Sequence, residues 1–229
     1  MFPSSSQRLS LFRRAAWSAL LAASLLAPSQ VVQAHPHGWV DYRVEVRFDD
    51  QGRVVALREV WRMDPFYSLT LIEEMAAAGS DEDGRLELGQ DITETLAAGR
   101  YLTHLYAGNV DAGPELGQGE VDEVHVERQG SRILVSFELP LAEPLRPTKQ
   151  RPLRYQIYDS SYYIEFLHDP DDVAISLVDA PEGCESRVIP ADPDPALVAQ
   201  AAMIDVDGQA PDGLGRFFTD TGEILCSAD

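Results

Sequence analysis

Val40-Asp41-Tyr42-Arg43-Val44-Glu45-Val46-Arg47-Phe48 alternates apolar and charged residues without a break. Nine residues at period 2 describe a strand with one face buried and the other wet. Asp49-Asp50-Gln51-Gly52 is turn chemistry, and residues 54–63 return as a second strand, so the pair reads as a hairpin. Beyond Pro65, residues 66–78 have helical spacing, with Leu69, Ile72 and Met75 or Ala76 on one face. A second helix is predicted over about residues 91–106. Residues 121–127 and 133–139, joined through Gln129-Gly130, make another hairpin. Further short strands are predicted over 153–158, 162–166, 173–178 and 187–189. From Pro190 onward proline, aspartate and glycine dominate, and only 196–203 reads as helix. This order predicts an α+β fold: a single domain with a mostly antiparallel sheet built from hairpins and two or three helices.

The residues before the hairpin carry an export signal. Arg8, Arg13 and Arg14 make a cationic start, and no acidic residue precedes Asp41. Residues 15–27 are an apolar run too short for the roughly 20 residues of a transmembrane helix. Pro28 ends it, and Val32-Gln33-Ala34 places small side chains at −3 and −1 of a cleavage point. Residues 1–34 are therefore read as a signal peptide, with Sec and Tat export both open. No cysteine lies near that point to carry a lipid. The expected product is a periplasmic protein beginning at His35, with no stable membrane insertion after cleavage. Its body spans 35–190, and a C-terminal segment spans 191–229.

Cleavage would remove three of the 18 basic residues and none of the 38 acidic ones, leaving a formal charge of −23. Such a surface repels nucleic acid and anionic lipid and attracts cations. The two cysteines, Cys184 and Cys226, form an even pair in an exported chain and read as a disulfide. Closing that loop contributes on the order of 3–4 kcal/mol in the chain-entropy model, and it tethers the C-terminal segment.

The new terminus would put a free α-amine on His35 and a second imidazole at His37. Neutral imidazoles suit nickel, cobalt, zinc and copper. If the strand runs back to the terminus, His35, His37, Trp39 and Asp41 project from one face, and His35, His37 and Asp41 become candidate ligands. Pro36 has no amide proton, which blocks the square-planar mode built on successive deprotonated amides. Ser80-Asp81-Glu82-Asp83-Gly84 resembles part of a calcium loop, but position twelve is Gln90 rather than glutamate; it reads as an acidic turn. His104, His125 and His168 are scattered and read as surface or satisfied histidines. Tyr155, Tyr158, Tyr162, Tyr163 and Phe166 form an aromatic patch around Asp159-Ser160-Ser161, with Asp159 its one acidic residue of interest. No nucleophile elbow, P-loop or dinucleotide fingerprint is present, so the chain reads as a non-enzyme.

Several of these motifs together resemble a known family. His35-Pro36-His37-Gly38-Trp39-Val40-Asp41 after a signal peptide, then Phe48 to Gly52, Trp61-Arg62-Met63-Asp64-Pro65-Phe66, residues 139–145 and Tyr158-Asp159-Ser160-Ser161-Tyr162-Tyr163 look like the DUF1007 family of bacterial periplasmic proteins. The resemblance covers essentially the whole chain after the signal peptide. It implies a role in metal handling beside an ABC-type or nickel/cobalt-type membrane permease. The acidic loop departs from the family's pattern, which sets calcium aside here.

Three functions follow as expectations. The first is a metal-binding or metal-delivery accessory protein for a divalent transition-metal transporter. The second is a copper protein with an N-terminal histidine brace, which needs a further imidazole. The third is a non-metal envelope interaction module.

Overall fold

The computed structural model describes residues 36–204 and 210–227. The first sheet holds β1 (Gly38–Phe48), β2 (Val54–Met63), β4 (His125–Gln129), β5 (Arg132–Leu145), β7 (Ile164–His168) and β8 (Ile175–Val178). The second holds β3 (Thr103–Ala107), β6 (Leu153–Ile157), β9 (Cys184–Ile189) and β10 (Thr221–Cys226). The helices are α1 (Pro65–Ala77), α2 (Asp81–Ala98) and α3 (Pro195–Ala202). The order is β4-β5-β2-β1-β7 in the first sheet, with β8 also on β1, and β3-β6-β10-β9 in the second. Pairing is antiparallel throughout, except that β7 and β8 run parallel to β1. The α+β class and the mostly antiparallel pairing are as predicted.

The alternation of β1 decides which face is core. Val40, Tyr42, Val44, Val46 and Phe48 are all buried. The antiparallel register sets Tyr42 opposite Trp61 and Val46 opposite Leu57, so β2 buries the same face. On the other face Asp41 lies opposite Arg62 and Glu45 opposite Arg58, and each pair forms an ion pair. One core joins the buried faces of both sheets, from Tyr42, Leu57 and Phe137 to Leu105, Tyr155 and Ile224. Burying each such side chain contributes roughly 1.5–3 kcal/mol.

Three elements differ from the sequence reading. The second helix begins ten residues earlier than predicted, at Asp81. Ser80 caps it, accepting from the Asp83 N–H at 3.2 Å, and Asp81, Glu82 and Asp83 occupy the first turn. Carboxylates there meet the positive end of the helix dipole and the orphan amides, so the acidic run is a helix start. The helix ends at Ala98, and Arg100, Tyr101 and Leu102 turn the chain through positive φ into β3. His104 therefore lies on a strand.

The third difference is β10, in a stretch that reads as loop. It sits between β6 and β9 in the second sheet. Glu223 makes this possible: it is opposite both Arg154 and Arg187 in the two ladders and pairs with both guanidiniums. Cys184 and Cys226 face each other at the end of the β9–β10 ladder and are bonded. The disulfide tethers the C-terminus as expected, and it does so at a sheet edge.

Candidate functional site

His37 is the residue immediately before β1. Its N–H donates to the Tyr163 carbonyl at 2.9 Å, and its exposed ring stacks on the Tyr163 ring with centroids 4.5 Å apart. The parallel β1–β7 ladder explains this meeting. Gly38 pairs with Ile164, so His37 and Tyr163 are the next rung out. His35 lies outside the described residues.

Asp64 closes the other flank. Its N–H donates to the Trp39 carbonyl at 3.1 Å, and its Oδ1 caps α1 by accepting from the Phe66 and Tyr67 amides. Its Oδ2 sits 2.9 Å from where a Cβ on Gly38 would be, so a side chain at position 38 would displace the cap. Three stretches far apart in sequence, 36–41, 61–66 and 158–163, thus converge at one end of the first sheet. Tyr163 is missed as a site residue by sequence reasoning because parallel pairing over 120 residues leaves no local signal; Asp159 stands out in the sequence only as the acidic residue of an aromatic patch, and Asp64 only within a family motif.

Asp41, the candidate helper by strand parity, is held by two arginines. It is only 7% exposed, and its Oδ2 accepts from Arg62 and from Arg132, both at 3.2 Å. Arg62 also bonds Asp169 at 3.0 Å. Two guanidiniums already neutralise this carboxylate, and their charge opposes a cation beside it. Asp41→Asn is expected to leave zinc affinity within about twofold. It should lower folding stability by about 2 kcal/mol, because two partly buried guanidiniums lose a charged acceptor. Calorimetric titration and urea unfolding of the same variant check both parts.

The remaining histidines are engaged elsewhere. His168 pairs with Tyr42 four rungs along from Gly38, roughly 13 Å away at strand spacing. Its Nε2 lies 3.3 Å from the Tyr155 hydroxyl and its Nδ1 3.3 Å from Asp220. His104 meets Glu115 at 3.1 Å and stacks on Tyr158, and burial lowers its pKa. His125 is exposed on β4, at the far edge of the same sheet. Among the described residues no three His, Cys, Asp or Glu side chains are grouped so as to hold an ion.

A second polar cluster lies in the core. Glu59 is fully buried; it accepts from Trp61 Nε1 at 2.9 Å and lies 2.8 Å from the Thr103 hydroxyl, to which it is hydrogen-bonded. Burial pushes its carboxyl up to about 8 against the opposing pull of those two bonds. The signal for it is legible in β2: period 2 puts Glu59 on the Leu57–Trp61–Met63 face.

The profile of the family described as "Protein of unknown function (DUF1007)" matches residues 20–226. No curated protein and no solved structure matches the chain. The matched span includes the signal-peptide cleavage point expected from the sequence, both sheets and all three converging stretches. The chain belongs to the DUF1007 family.

Proposed function

We propose that this is an exported, periplasmic metal-binding or metal-delivery protein that serves a divalent transition-metal transporter of the permease or ABC type. The observation that carries the reading is His37: an exposed imidazole at the start of a core strand, its backbone fixed to β7 and its ring backed by Tyr163. With His35 two residues earlier, the site offers two imidazoles and the α-amine of a chain beginning there. Nickel, cobalt, zinc and copper all accept such donors. Water or a receiving protein completes the coordination shell, which suits hand-off by ligand exchange. The strongly anionic surface raises the local cation concentration. No described helix is long and apolar enough to cross a membrane.

The test is calorimetric titration of zinc and nickel into protein that begins at His35, compared with His35→Ala/His37→Ala. The double variant is expected to bind at least about tenfold more weakly, or roughly 1.4 kcal/mol. Affinity should also fall as acid protonates the imidazoles. Equal affinities would remove the metal reading and leave an envelope interaction module in its place.

A further inference from the structure

We infer that the loop from Asp159 to Tyr163 is the second half of the ion-capture site, with Asp159 a positioning residue that holds the Tyr163 ring against the His37 imidazole. This rests on the metal-binding reading of His37.

One carboxylate organises the whole loop. Asp159 Oδ1 accepts from the Ser161 N–H at 2.9 Å and the Ser161 hydroxyl at 2.9 Å. Its Oδ2 accepts from the Tyr163 N–H at 2.9 Å and the Ile164 N–H at 3.2 Å. These amides lie before and at the first residue of β7, where a side-chain oxygen takes the place of a strand partner. The loop is braced from behind as well. Ser160 Oγ bonds Asp212 and accepts from the Gly213 N–H at 2.9 Å.

The backbone here is strained in a directed way. Tyr162 adopts φ 55°, a left-handed conformation that costs a bulky residue roughly 1–2 kcal/mol. Its ring is buried and stacks on Phe218 with centroids 4.4 Å apart. The reversal at Tyr162 sends one tyrosine inward and leaves the next, Tyr163, half exposed beside His37.

The stacked ring has a use for an ion-binding imidazole. Coordination withdraws electron density and leaves the imidazole ring more positive. The face of an aromatic ring attracts positive charge, so the stack is tighter in the loaded state than in the free one. It also limits the rotation of His37 that capture would otherwise have to freeze. Both effects raise affinity, and both vanish if Tyr163 swings away.

The test uses protein beginning at His35, with Tyr163→Leu, Tyr163→Phe and Asp159→Ala. Two quantities are read: the ring-current shift of the His37 ring protons by NMR in the metal-free protein, and zinc affinity by calorimetry. Tyr163→Leu and Asp159→Ala should each lose the ring-current shift and weaken zinc binding about three- to tenfold. Tyr163→Phe should keep both, since the stack does not use the hydroxyl. Tyr163 is half exposed, so Tyr163→Leu should keep the wild-type unfolding midpoint, which separates positioning from stability. Wild-type affinity in Tyr163→Leu, or an unchanged His37 shift in folded Asp159→Ala, overturns the inference. If wild-type His37 signals ignore zinc, the metal reading itself fails, whereas the metal-free shifts still report on the platform.

Discussion

Gly222→Ala is expected to destabilise the fold by about 3 kcal/mol, read as a lower urea midpoint with an unchanged slope. Gly222 lies at the middle of the second sheet, directly opposite Tyr155 across the β10–β6 ladder. A Cβ there would come within 2.2 Å of two Tyr155 ring carbons and 2.6 Å of its hydroxyl. No rotamer change at position 222 relieves this, because the clash is with the first side-chain atom. Tyr155 must move instead, and it is fully buried. Moving it also gives up the hydroxyl's meeting with His168. A double-mutant cycle identifies the cause: with Tyr155→Leu in place, the same glycine substitution should cost less than half as much. A near-wild-type midpoint for Gly222→Ala would show that the ring is not held over the glycine.

That glycine also shows why part of the fold is hidden from the sequence. β1 and β2 are legible because apolar and charged residues alternate where one face meets the core and the other meets water. In Thr221-Gly222-Glu223 the same criterion misleads, since the glycine is required by a tyrosine and the glutamate is neutralised by two arginines, all from other strands. α2 is obscured in a similar way. Gly84 sits inside it because a Cβ there would meet the Met75 carbonyl of α1 at 2.4 Å. A residue that weakens helix propensity is retained because two backbones approach closely. The cap that marks its start, Ser80 with Asp83, is a local signal that the likeness to part of a calcium loop obscures.

At the site, the imidazole at position 37 is legible from position alone, as the second histidine after a cleavage point. Its surroundings are not. Asp41 shares strand parity with His37, and parity correctly puts it on the face away from the core. What parity cannot show is that Arg62 and Arg132 arrive from neighbouring strands and occupy it. Tyr163 was visible only as one of several aromatics near Asp159. The parallel ladder that brings it to His37 depends on the whole chain between them.

The buried Glu59 predicts a stability that falls with pH. Thr103 Oγ1 lies 2.8 Å from Glu59 Oε1 and 2.9 Å from the Tyr101 carbonyl, yet it has one proton to give. If that proton goes to the carbonyl, Glu59 must donate to the hydroxyl, which requires a protonated carboxyl. The raised pKa of about 8 agrees with that arrangement, and the Trp61 N–H then satisfies the second oxygen. The ordinary value is 4.5. Between about 4.5 and about 8 the folded state therefore holds a proton that the unfolded chain releases. Unfolding then becomes easier by about 1.4 kcal/mol for each pH unit gained. This contribution is fully present below about 4.5 and is lost by about 8. Glu59→Gln keeps the size and the neutral charge, but adds one amide proton without a certain acceptor, at a cost of about 1 kcal/mol. The variant should accordingly be slightly less stable than wild type at pH 5 and more stable at pH 9, with the two curves crossing between. Urea unfolding of both proteins across that range measures the difference, and the common background of surface charge cancels. Parallel curves would mean that Glu59 is ionised in the folded core, and the proton would then have to be placed elsewhere in the Thr103–Trp61 network.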